Sequence, residues 1–250
     1  MFVSHGSRRA PPDDPMTQTP PELAFALDVP SAAQATEWMG RLRGHVDVFK
    51  VGLELFIAEG ASMVRAAAST ADCFLDLKLH DIPATMARAA SRAASLGARD
   101  LTIHASAGPA AIEATRRAVE GSGMRILAVT ALTSLDGAAL KAIGMDADPA
   151  AVALRLGKLA LDAGAHGLVC SAHECAALRA LSSELVLVVP GVRPKGGDQG
   201  DQKRTATPAD AVRAGANMLV VGRPIRNAED PILAARAIRT EMNTAMQDTP

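Results

Sequence analysis

The sequence predicts a single-domain (β/α)8 barrel, and three observations predict it. From residue 23 onward, short apolar or β-branched runs alternate with Ala-rich stretches of helical period, eight times over. No stretch of linker composition interrupts the series. The 250 residues suit one α/β barrel, a fold that uses such a length in a single domain. An open doubly wound sheet is the alternative topology, because alternation alone does not establish closure.

The strand at 22–29 (ELAFALDV) leads into a helix over 31–45, opened by Ser31 behind Pro30, since a Ser hydroxyl can accept a free N–H of the first turn. VFKVG (48–52) precedes a helix over 55–69. CFLDLKL (73–79) precedes one over 84–97, closed at Gly97, where glycine can take the left-handed conformation. DLTIHA (100–105) and RILAVTAL (125–132) lead into helices over 108–121 and 150–164, the second closed at Gly164. GLVCS (167–171) leads to 173–182, capped by Ser171, and LVLVVPGV (185–192) to 208–215, closed at Gly215. MLVVGRPI (218–225) is the eighth strand, and the last helix, 230–246, starts with the cap Asp230 and Pro231. The longest irregular stretch, 190–208, follows the seventh strand, where barrels often bind phosphate.

Residues 1–20 are polar and Pro-rich and lack the apolar segment of a secretory signal. They read as a disordered extension, with Met16 a possible start, ahead of a catalytic barrel over 21–250. QDTP at the C-terminus reads as a frayed end. With 26 basic and 27 acidic residues the formal charge is −1, which provides no broad basic face for duplex nucleic acid. Aromatic residues make up 2%, too few for platforms that stack single strands. No apolar stretch reaches the roughly 18 residues needed to span a bilayer. Cys73, Cys170 and Cys175 form no CxxC or metal spacing and lie in or beside apolar runs, which fits a reduced, cytoplasmic setting. No GxGxxG or Walker A loop is present.

Polar residues at the C-terminal ends of barrel strands face the active-site mouth. Asp28, Lys50, Asp76, Lys78 and Asp81 occupy such places, inside or just beyond apolar runs, where charges are rarely buried without partners. Asp76 and Lys78 are two apart on a strand and therefore point to one side. A single ion pair there could be structural; the five together point to a functional site. His80 reads as outward-pointing, His104 as a hydrogen-bonded structural residue, and His166 and His173 as helix-end residues.

FLDLKLHDIPAT resembles the D-x-K-x-x-D signature of the orotidine 5′-monophosphate decarboxylase family. ALDVP, FKVGLELF, LTS, PGVRP, GDQKR and VVGRPI match other motifs of that family in order along the chain. The resemblance implies that Lys78 protonates C6 as carbon dioxide leaves, that Asp76 sits against the substrate carboxylate, and that Lys50 and Asp81 complete an alternating charge array. It implies ribose contacts from Asp28 and Lys50, and a pyrimidine contact from Thr133, with Ser134 a weaker candidate. Phosphate contacts fall to Arg193, Gln202, Gly222 and Arg223. Between two glutamines in GDQGDQ, alignment to the family motif selects Gln202 over Gln199. The Gly-rich loop carrying it is expected to close over the phosphate. Asp81 and Thr85 are implied to reach across a two-fold interface into the partner's site of a homodimer. No cofactor or metal is implied. The alternatives are a Mg²⁺-dependent sugar-phosphate decarboxylase or aldolase of the same barrel superfamily, and a non-catalytic barrel that binds a phosphate ligand.

Overall fold

Eight parallel strands close on themselves in chain order, β1 (Glu22–Ala26), β2 (Val48–Gly52), β3 (Asp72–Leu79), β4 (Asp100–His104), β5 (Arg125–Val129), β6 (Gly167–Val169), β7 (Val186–Pro190) and β8 (Met218–Val221). The closing pair joins β1 to β8 with Leu23 opposite Leu219 and Phe25 opposite Val221. The open-sheet alternative is thereby excluded. The computed structural model describes residues 20–194 and 205–248. The expected extension before residue 20 and the Gly-rich loop segment carrying Gln202 lie outside the described residues.

The helices lie between the strands. α1 (Ala32–Leu42) follows β1, and α2 (Leu53–Glu59) and α3 (Ala61–Thr70) follow β2. α4 (Pro83–Ser95) follows β3, and α5 (Pro109–Ala118) follows β4 after a 3-10 turn. α6 (Gly137–Ala142) and α7 (Pro149–Asp162) follow β5, α8 (Ala172–Arg179) follows β6, and α9 (Pro208–Arg213) follows β7. α10 (Arg223–Arg226) and α11 (Pro231–Gln247) complete the chain. The expected caps form: Ser31 accepts from the Gln34 N–H, Ser171 and Glu174 make a reciprocal capping box, and Asp230 accepts from the Ile232 and Leu233 N–H groups. Gly97, Gly164 and Gly215 have φ of 88°, 86° and 99°, the left-handed closure expected of them.

Several boundaries depart from the sequence expectation. The helix expected over 55–69 is split at Gly60 (φ 64°). The first strand ends at Ala26 rather than at 29, and the fifth at Val129 rather than at 132. The eighth stops at Val221, because Gly222 turns the chain and Pro224, having no N–H, suits the first turn of α10 and not a ladder. α6 lies where no helix is expected. α11 runs through Gln247, which belongs to the helix and not to a frayed end.

Period-two alternation sorts each strand between two cores. Leu23, Phe25 and Leu27, with Phe49, Val51, Leu101 and Ile103, face outward and pack on helix residues such as Ala35, Met39 and Ile112. Ala24, Ala26, Val48, Phe74, Leu127, Val129, Val188, Met218 and Val220 face inward and fill the barrel. Phe25, Phe49 and Phe74 are among the largest fully buried side chains, and each such burial stabilises by about 1.5–3 kcal/mol.

Below this inner apolar layer, the same inward parity brings Glu22, Asp72, Asp100 and Arg125 to the strand N-termini. Arg99 donates to Glu22 (2.6 and 2.8 Å), Asp72 (2.6 Å) and Asp100, and Arg125 donates to Asp100 (2.6 and 3.0 Å). Asp100 is fully buried. Asp100→Ala removes the one buried carboxylate that joins both guanidiniums, leaving Arg99 with Glu22 and Asp72 and Arg125 with Glu22 alone at 3.7 Å, and is expected to cost about 3 kcal/mol, lowering the Tm by roughly 10 °C. Thermal unfolding checks this; a Tm loss below about 2 °C would show that the cluster contributes little. No helix among the described residues is long and apolar enough to cross a membrane.

Candidate active site

At the opposite end of the barrel the inward columns become polar. On β1 the column Ala24, Ala26 continues to Asp28; on β2 Val48 is followed by Lys50; on β3 Phe74 is followed by Asp76. The alternation that fills the interior thus delivers three charges to its mouth. Lys50 Nζ lies 3.1 Å from Asp28 Oδ1 and 3.5 Å from Asp76 Oδ2, and Lys78 Nζ donates to Asp76 Oδ1 at 2.8 Å. The side chains form one row of alternating sign: Asp28, Lys50, Asp76, Lys78.

Lys78 joins that row by an irregular route. Its φ is 49°, the one positive value at a non-glycine residue among those described. Pairing of β3 with β4 shifts register between Leu75 and Leu79. The Lys78 N–H donates to Thr102 Oγ1 at 2.9 Å, and Thr102 Oγ1 donates to Asp76 Oδ1 at 2.8 Å. Asp76 and Lys78 do meet on one side, as expected, but through this bulge rather than along a continuous strand. The left-handed backbone costs about 1–2 kcal/mol at a residue with a Cβ, a strain that persists only where surroundings over-determine it.

Burial alone disfavours the Lys50 ammonium, but Asp76 and Asp28 outweigh it and hold its pKa above the ordinary lysine value. Burial likewise disfavours the Asp76 carboxylate, yet Lys50, Lys78 and the hydrogen bonds from Lys78 and Thr102 hold it below the ordinary carboxylate value. Lys50 therefore stays protonated and Asp76 ionised throughout the neutral range. His104 is half-buried with its ring 5.4 Å from that of His80; burial, then His80 and Lys78, lower its pKa. It stays neutral at pH 7, a structural neighbour of Lys78. His80 is exposed, as expected. His166 is not a helix-end residue: it precedes β6, and its Nδ1 accepts the Ile126 N–H. His173 does lie in the first turn of α8.

The row lines a cavity of about 470 Å³, within the range of small-ligand sites. Ala26, Phe74, Val129, Val169 and Val220 give it an apolar floor, and Thr133, Ser134, Gly222, Arg193 and Arg223 line it as well. Both arginines come from the strand ends of β7 and β8, where the fold favours anion binding. A Cβ on Gly222 would meet only Ala26 Cβ at 3.4 Å and Asp28 Oδ2 at 3.8 Å, so this glycine preserves open space at the cavity wall. Gln202 lies outside the described residues. Asp81 and Thr85 do not line the cavity of this chain: Asp81 is exposed, its Oδ1 accepting the Ile82 N–H, and Thr85 is half-buried in the first turn of α4. Cys73, Cys170 and Cys175 are all buried, and burial followed by Asp100 pushes the Cys73 thiol up to about 12. Among the described residues no cluster of three or more His, Cys, Asp or Glu side chains could hold a metal ion.

Three residues of the site escape the sequence reading. Thr102 reads as an ordinary strand residue. Gly52 reads as a strand terminus, yet a Cβ there would lie 3.0 Å from Lys50 Nζ and 3.1 Å from Asp28 Oδ1, so only glycine leaves that ion pair undisturbed. Arg226 lines the cavity and donates to the Asp28 carbonyl oxygen. No local signal marks it, because residues 218–225 read as strand and not as a helical turn.

Comparison with known proteins adds a lineage to this geometry. Residues 21–238 match the family described as Orotidine 5′-phosphate decarboxylase / HUMPS. A relative from Anaeromyxobacter sp. (strain K), named orotidine 5′-phosphate decarboxylase, is 55% identical over 218 residues, covering 86% of this chain and 96% of the relative. One of the same name from Gluconobacter oxydans is 49% identical over 230 residues, covering 89% and 98%. A crystal structure of orotidine 5′-phosphate decarboxylase from Lactobacillus acidophilus superposes with a TM-score of 0.79 at 33% identity, covering 89% of this chain and 99% of that one.

Proposed function

The chain belongs to the orotidine 5′-phosphate decarboxylase / HUMPS family, and on that premise we propose that it is a carboxy-lyase converting orotidine 5′-monophosphate to UMP and carbon dioxide in pyrimidine biosynthesis, without a cofactor. The observation that carries this reading is the row Asp28–Lys50–Asp76–Lys78 at the mouth of a cavity that Arg193 and Arg223 also line.

In this reading the phosphate binds at Arg193 and Arg223, whose planar forks suit phosphate oxygens, together with Gln202 and the open backbone at Gly222. The ribose hydroxyls meet Asp28 and Lys50, Thr133 bonds the pyrimidine edge, and the ring lies over the apolar floor. The C6 carboxylate then faces Asp76 and Lys78. As the C6–carboxylate bond breaks, its electron pair stays on C6 and carbon dioxide departs. The Lys78 ammonium, 2.8 Å from Asp76, stabilises the developing negative charge and delivers its proton to C6. Asp76 holds that ammonium in place through the 2.8 Å contact, and its repulsion of the substrate carboxylate disappears as carbon dioxide forms. Arg226 contributes by securing the Asp28 backbone.

The site is completed by a second copy of the chain, with Asp81 and Thr85 entering the partner's cavity. Supporting this, residues 80–84 form an exposed segment beside the mouth in which Ile82 is 67% exposed, and α2, following the neighbouring strand, exposes Leu53 and Ile57. Large apolar side chains left exposed after two neighbouring strands are the kind of surface a two-fold interface would cover. A pyrimidine enzyme of this kind works in the cytoplasm.

The test is loss of the orotate absorbance when purified protein meets orotidine 5′-monophosphate in buffer containing EDTA. Turnover is expected. Activity absent under EDTA and restored by Mg²⁺, or confined to sugar phosphates, would replace this reading with that of a metal-dependent relative in the same superfamily.

A further inference from the structure

The bulge in β3 frees the Lys78 N–H from the sheet, and the group that receives it is a single side chain, Thr102, on the inner face of β4. Thr102 is fully buried and absent from the cavity lining, so it does not touch a ligand. The directions of its two bonds are fixed by chemistry. An amide N–H can only donate and an ionised carboxylate can only accept, so the one hydroxyl accepts from Lys78 at 2.9 Å and gives its own proton to Asp76 at 2.8 Å. Lys78 Nζ returns to the same Asp76 oxygen at 2.8 Å, which closes a ring from the Lys78 backbone through Thr102 and Asp76 to the Lys78 ammonium.

We infer that Thr102 is a positioning residue for the reaction, setting the left-handed backbone of Lys78 and the Asp76 carboxylate in one register so that the ammonium is presented to the reacting carbon. A lysine side chain is long and flexible, so its tip is placed only when both ends are restrained. Here the near end is restrained by the N–H bond to Thr102 and the far end by the carboxylate that Thr102 also orients. Valine has the same β-branched outline and suits a strand equally well, but it can do neither. Serine can do both.

This inference rests on the reading of the site as a decarboxylase, and the experiment separates the two. Wild type, Thr102→Val and Thr102→Ser are compared for kcat with orotidine 5′-monophosphate and for Kd with UMP. Loss of a charge-assisted hydrogen bond is expected to lower kcat of Thr102→Val by about 10- to 100-fold. UMP affinity, which does not use the proton transfer, should change less than about threefold. Thr102→Ser should recover kcat to within about threefold of wild type. Wild-type kcat in Thr102→Val, a serine variant as impaired as the valine one, or a loss of kcat matched by an equal loss of UMP affinity would each overturn the inference. Should Thr102→Val fail to fold, Thr102→Cys takes its place, its thiol filling the space but bonding weakly, and an unchanged kcat there counts equally against it. Absence of turnover in the wild type removes the decarboxylase reading and this inference with it; turnover in the wild type with an undiminished kcat in the valine variant removes the inference alone.

Discussion

Replacing Lys78 with alanine is expected to abolish decarboxylation, lowering kcat by at least about 10⁴-fold, while UMP affinity stays within about tenfold of wild type. Two contributions vanish together: the proton for C6, and a positive charge close to where negative charge develops. Both act in the transition state, so the loss falls on kcat rather than on binding. The fold should tolerate the change. Alanine also carries a Cβ, so the strain at φ 49° is neither relieved nor increased. Asp76 loses one cation but keeps Lys50 at 3.5 Å and the Thr102 hydroxyl at 2.8 Å, so no carboxylate is left without a partner. Single-turnover kinetics and UMP titration check both halves. Turnover within tenfold of wild type would mean that another group supplies the proton; Lys50, the neighbouring ammonium, would be the first to examine.

Parity explains how much of this site is legible from the chain. Once ELAFALDV, VFKVG and CFLDLKL are read as barrel strands, counting in twos from Ala24, Val48 and Phe74 leads to Asp28, Lys50 and Asp76, and the structure brings those three into one row. Counting back from Ala24 and Phe74 leads to Glu22 and Asp72, and the same parity on β4 and β5 leads to Asp100 and Arg125; together they form the ionic cluster at the barrel floor. What parity does not reveal is any departure from regular strand. Nothing in LDLKLHD marks Lys78 as left-handed, because its conformation comes from a neighbour on β4 and not from its own propensity. Thr102 is hidden for the matching reason: threonine is a common strand former, and its two hydrogen bonds, from the Lys78 N–H and to Asp76, exist only after pairing across the sheet. Gly52 and Arg226 depend on distances between β1, β2 and the turn after β8, which no local pattern encodes. Short helices such as α6 and α10 span too few residues for a 3.6 period to register.

Two inactive variants, Lys78→Ala and Asp81→Ala, are expected to regain activity when mixed under conditions of subunit exchange. Within one chain Asp81 is exposed and outside the cavity that holds Lys78, so a role for it at the site requires a second copy. In a dimer that exchanges this residue, a hybrid of the two variants contains one site lacking both groups. Its other site combines the Lys78 of the Asp81→Ala chain with the Asp81 of the Lys78→Ala chain, and is intact. Random mixing makes half the dimers hybrid with half their sites intact, so specific activity should reach about a quarter of wild type from two nearly silent parents. An Asp81 that merely stabilised its own fold would predict no recovery. If hybrids are shown to form, for example by mass spectrometry of differently tagged chains, and activity remains at the parental level, the shared site is excluded and Asp81 leaves the catalytic array. The same mixture made with Asp76→Ala in place of Asp81→Ala should stay inactive. Asp76 and Lys78 are hydrogen-bonded within one chain, so every hybrid site lacks one of the two.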